Sequence, residues 1–155
     1  MIEPPAQGVW PEWLQLKWLS NLHDIQPKKG LWTPVIEGQT SAGVGTYSQT
    51  VGSYTRIDKT ILIKCHIGVD AHTGTGDMWV TGLPFISSAV SDTFSCLAVR
   101  PYNLAVTAGN YVVAYVDVNT QNIILEQVAT GGGSTSGIPI DTSFTLLLSG
   151  YYDID

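Results

Sequence analysis

The chain has 155 residues, enough for one domain that buries about 68–70% of its unfolded surface without help from disulfides or metal. Charged residues make up 13% and apolar ones 44%, beside 16 Thr, 12 Ser and 16 Gly, a mix too apolar for a disordered chain and too rich in strand and turn formers for a helical one. A net charge of −6, with Lys and Arg nowhere clustered beyond Lys28–Lys29, lacks the basic footprint of a nucleic-acid binder, and no apolar run approaches the ~20 residues of a membrane helix.

In chain order, Met1-Ile2-Glu3-Pro4-Pro5 has neither the basic nor the apolar region of a secretory signal, and no Asn-x-Ser/Thr sequon follows anywhere. Cys65 and Cys96 each stand alone in an apolar run, which reads as two reduced core residues in a protein made in a reducing cytoplasm. Residues 1–30 form an arm of different character. Pro11 and Glu12 open a helix and Pro27 closes it; Leu14, Trp18, Leu22 and Ile25 fall on one face. With Trp10 and Trp13 this face offers a docking surface, each buried anchor being worth roughly 1.5–3 kcal/mol. One reading makes the arm an attachment device, with Lys28-Lys29-Gly30 as a solvated hinge. The other packs its helix on the domain that follows.

Residues 31–155 read as strands between Gly, Asp, Asn and Ser turns. Candidates are Trp32–Glu37, Gly52–Ile57, Ile61–Val69, Met78–Thr81, Phe94–Val99, Tyr111–Val118, Ile123–Val128 and Phe144–Tyr152. Alternation places Ile61, Ile63, Cys65, Ile67 and Val69 on one face, and Phe144, Leu146, Leu148 and Tyr152 likewise inward. About eight such strands predict an all-β, jelly-roll-like antiparallel sandwich, and no 20–50-residue repeat suggests a solenoid. Val113 and Tyr115, like Leu147 and Tyr151, are large apolar residues on the opposite face of strands that already bury one. A two-layer sandwich has only one buried face per sheet, so these four are candidate oligomer-interface residues in a homo-oligomer.

Chemistry-bearing motifs are sparse. No nucleophile elbow, His-Glu-x-x-His, phosphate loop or Cys-x-x-Cys occurs. His23, His66 and His72 are scattered, and Asp70–Asp77 lacks the acid spacing of a calcium loop. Gly131-Gly132-Gly133-Ser134 has no following Lys and reads as a loop. Glu37 and Glu126 are a conceivable glycosidase pair, but sequence sets no separation between them. The expectation is no enzyme, with no catalytic, cofactor or metal site.

Trp32-Thr33-Pro34-Val35-Ile36-Glu37-Gly38, then Tyr47, then Val51–Lys59, His72-Thr73-Gly74-Thr75-Gly76-Asp77, Val80–Phe85 and the terminal Gly150-Tyr151-Tyr152 resemble, in order, the pattern of phage tail-fibre and fibre-head (knob) proteins. The resemblance covers residues 31–155. It implies a trimeric jelly-roll head on the virion, with Tyr54, Ile57 and Leu83 in the core and Gly52, Gly82 and Pro84 at turns. The function it implies is that of a tail-fibre or knob-type virion protein contacting the host surface as a receptor-binding head. Its partners would be itself as a homotrimer, another virion protein through the arm, and a host glycan or protein, without nucleic acid or membrane insertion. The alternatives are a capsid fibre, decoration or tail component of structural role, and a lectin-like or signalling jelly roll unrelated to phages.

Overall fold

Period-2 alternation from Ile61 to Val69 gives a strand with one wholly apolar face. In the computed structural model, which describes residues 26–91 and 93–155, that face lies buried at the centre of an antiparallel sheet. Its strands are β1 (Lys28–Trp32), β2 (Val35–Gly38), β3 (Gly45–Ile57), β4 (Thr60–His72), β5 (Met78–Thr81), β6 (Ser95–Tyr102), β7 (Asn110–Val116), β8 (Ile123–Ala129), β9 (Thr135–Gly137) and β10 (Phe144–Asp153). There is no helix among the described residues. The strand order is β1-β3-β4-β10-β6-β7-β8-β5-β2, with β9 beside β8.

The sheet curls into a half-barrel because β6 turns a corner. Its residues Ala98–Tyr102 pair with β10, whereas Ser95–Leu97 pair with β7. β1, β3, β4, β10 and the end of β6 therefore make one layer, and the start of β6 with β7, β8, β5 and β2 makes a second. Ile61, Ile67, Leu146 and Tyr152 of the first layer and Ile36, Val80, Leu125 and Val116 of the second meet in one core cluster. The inward residues expected on β4 and β10 are all buried. β5 to β8 form one Greek key, three hairpin-linked strands with β5 returning beside β8. A jelly roll combines two Greek keys, so the description that holds is the broader one, an antiparallel all-β curled sheet.

Several local expectations change. The strand expected over Trp32–Glu37 is two strands, since Pro34 has no N–H for a ladder, and the chain crosses there from the first layer to the second. β1 begins at Lys28, which pairs with Arg56, so Lys28-Lys29-Gly30 belong to the sheet and are not a hinge. Gly52 sits mid-strand instead of at a turn: Trp32 lies across it, and a Cβ there would stand 2.5 Å from the indole nitrogen. Ile57, at the β3–β4 turn, is 41% exposed and outside the core, whereas Leu83 is buried and Tyr54 packs at the core's edge. Cys65 is a buried free thiol, but Cys96 is exposed, because Leu97 takes the inward position on β6. The expected N-terminal helix, with Trp10, Trp13, Leu14, Trp18, Leu22 and Ile25, lies outside the described residues.

Candidate functional site

Once the core is filled, each layer still presents a second face. On the first layer the cross-strand rows run Val51–His66–Leu147–Arg100, Thr55–Leu62–Tyr151 and Leu31–Ser53–Lys64–Ser149–Ala98. Leu31, Val51, Leu62 and Tyr151 are exposed there. The face carries a shallow trough of about 530 Å³ bordered by Val51, Lys64, His66, Arg100 and Leu147. A second trough of about 420 Å³, reaching Leu62 and Tyr151, shares Ser53, Lys64 and Ser149 with it. Lys64, His66 and Arg100, with Lys29 paired to Thr55 at the edge of the second row, are the basic side chains of this face. Carboxylates come only at strand ends: Asp70 near the end of β4, and Asp153, which accepts a hydrogen bond from Thr60 Oγ1 at 2.7 Å.

The second layer's outer face has the opposite character. Its main row is Glu37–Trp79–Ile124–Tyr115–Cys96, flanked by Val113–Glu126 and Tyr111–Val128. Phe94 meets Tyr115 edge to face with ring centroids 5.7 Å apart. Burial pushes the Tyr115 phenol up, and the carboxylates of Glu126 and Asp117 add to the rise. Every Lys and Arg among the described residues lies in the first layer or its β3–β4 turn, and none on β2, β5, β7 or β8.

The four residues expected at an oligomer interface are all directed outward, but they do not share a surface. Leu147 and Tyr151 lie on the first layer, Val113 and Tyr115 on the second. Sequence reasoning missed Trp79, Ile124 and Phe94, because Trp79 sits on a strand of four residues whose alternation is barely visible.

The motif residues taken from the resemblance turn out to hold the curl together. Tyr47 Oη accepts from Ile36 N–H at 3.1 Å and donates to Ile36 O at 3.3 Å. His72 is buried, donates from Nε2 to Ile36 O at 2.9 Å and accepts at Nδ1 from Gly74 N–H at 2.9 Å. Both ring nitrogens are thus engaged, which leaves no lone pair for a metal. The last strand in the sheet order, β2, is so tied by side chains to β3 and β4. Among the described residues no group of three or more His, Cys, Asp or Glu is placed to hold a metal ion. Glu37 and Glu126 do share the second layer's outer face, but β5 lies between them. Two strand spacings and a two-residue offset put their Cα atoms roughly 12 Å apart. Tyr152, fully buried, donates to Phe85 O at 3.0 Å and accepts from Phe85 N–H at 3.3 Å, and burial pushes its phenol up to about 12.

No protein-family model matches the chain, and no curated protein matches it. Among solved structures, the Dettilon tailspike protein (gp208) has a similar fold, with a TM-score of 0.66 and 19% identity over 82% of this chain. The chain spans 24% of that tailspike's length. The likeness is one of fold.

Proposed function

We propose that this chain is a virion structural protein of a bacteriophage tail, a spike- or fibre-head domain that works by assembly and by contact with the host surface. The observation carrying this reading is the shared fold with a phage tailspike over 82% of the chain, in line with the ordered tail-fibre motifs from Trp32 to Tyr152. In this reading the domain is a homotrimer, its finer architecture is the jelly-roll-like head of the fibre proteins, and the Trp-rich arm joins it to another virion protein. The two outward apolar faces fit a domain that lives in an assembly, since contiguous exposed apolar surface marks interaction sites.

Binding, not turnover, is the proposed activity. Glu37 and Glu126 stand on strands separated by β5, with the apolar Trp79 and Ile124 in the row between them, a surface suited to contact.

The test is an adsorption competition with the recombinant chain, alongside mass spectrometry of purified virions. The chain should be found in the particle, and micromolar protein should slow phage adsorption to host cells without releasing reducing sugar from host polysaccharide. Absence from the virion overturns the virion reading. Presence without competition overturns the host-contact part, and release of sugar overturns the non-catalytic part.

A further inference from the structure

The outward residues divide by chemistry as well as by position. The first layer's face combines Leu31, Val51, Leu62, Leu147 and Tyr151 with Lys29, Lys64, His66 and Arg100. The second layer's face combines Trp79, Tyr115, Ile124 and Val113 with Glu37, Glu126 and, at its margin, Asp117. We infer that copies of this chain associate head to tail, the basic apolar face of one copy's first layer covering the acidic apolar face of the next copy's second layer.

Three arguments select this arrangement, which rests on the reading that the chain self-associates. A two-fold contact joins like to like. Between first layers it brings a face carrying Lys64 and Arg100 against an identical one, and between second layers it brings a face carrying Glu37 and Glu126 against an identical one. Like charges brought together in a desolvated contact cost several kcal/mol, whereas opposite patches attract and fix register. Secondly, a two-fold dimer covers one apolar face per copy and leaves the other in water. A head-to-tail contact covers both. Thirdly, relief on the faces is complementary in kind: the basic face carries troughs of about 530 and 420 Å³, and the acidic face carries the rings of Trp79, Tyr115 and Phe94. A heterologous contact that closes gives a ring, the form a homotrimer takes, and one that does not close gives a filament.

Charge reversal on the full chain tests this. One variant carries Lys64→Glu and Arg100→Glu, a second carries Glu37→Lys and Glu126→Lys, and a third carries all four changes. Mass is read by light scattering at micromolar concentration and low salt, and circular dichroism establishes that each variant is folded. Each two-site variant should fall to the mass of one 16.7 kDa chain, and an equimolar mixture of the two should regain assemblies that contain both variants. The four-site variant should regain the parental mass. Cys96, on the acidic face beside Tyr115, supplies a second readout: its reaction with a thiol reagent should be at least tenfold slower in the assembled chain than in either dissociated variant.

Loss of assembly in only one two-site variant, with no recovery in the four-site chain, overturns the head-to-tail contact and leaves self-association standing. A monomeric parent chain overturns self-association itself. A mass that grows without limit with concentration supports the head-to-tail contact and overturns the trimer.

Discussion

Tyr152→Phe isolates one hydroxyl in the most buried part of the first layer. The phenol is the partner of both the N–H and the carbonyl of Phe85, so its removal strips two backbone groups of the loop between β5 and β6. A buried polar group left without a partner costs about 1–3 kcal/mol. Part of the Phe85 backbone regains water, so the expected loss is about 2 kcal/mol. At roughly 2–4 °C per kcal/mol for a chain of this size, Tm falls by about 4–8 °C. The same hydroxyl governs alkaline stability. Its pKa rises from 10.0 in the unfolded chain to about 12 in the fold, so the folded state prefers the neutral phenol. That contribution is complete below pH 10 and is lost as pH climbs from 10 towards 12, up to about 2–3 kcal/mol. Urea titrations followed by Trp fluorescence, repeated from pH 7 to 12, measure both effects. Tyr152→Phe should be less stable at pH 7 and flatter above pH 10. A variant within 0.5 kcal/mol of the parent at neutral pH (about the scatter of an ordinary surface substitution), with a parallel pH profile, refutes the reasoning.

Gly52→Ala places a Cβ 2.5 Å from the Trp32 indole nitrogen and should cost about 1–3 kcal/mol through overpacking; an unshifted urea midpoint contradicts this. His72→Leu removes the bonds to Ile36 O and Gly74 N–H, and hydrogen exchange at the Gly74 amide should quicken by tenfold or more while the β10 amides keep their protection. Protection at Gly74 that survives the substitution means the histidine is not the strut described. Burial pushes the Cys65 thiol from 9.0 up to about 12, leaving roughly one thiolate in 10⁴ at pH 8. A thiol reagent should therefore modify Cys65 only on unfolding, and rapid labelling of two thiols in the native chain contradicts its placement.

The strands and their inward faces were legible in the sequence because alternation is a local property. Ile61 to Val69 carries its own period of two, and that period holds whatever strand lies alongside. The same logic revealed that Val113, Tyr115, Leu147 and Tyr151 point away from the core. It did not reveal where those residues end up, since outward is defined relative to a strand while a surface is defined by which strands are neighbours. β7 and β10 lie two places apart in the sheet, with β6 between them turning the corner. Only that non-local pairing sends Tyr115 to an acidic face and Tyr151 to a basic one. Cys96 was misplaced for a related reason: it sits near the start of β6, where the phase of the alternation is set by the partner strand. Ile57 was placed in the core by the resemblance alone, and it falls at the β3–β4 turn. Tyr47 and His72 show the limit most plainly. Their target is the backbone of Ile36, which carries no side-chain signature in the sequence, and only the curl of the sheet brings β2 within hydrogen-bond reach of them.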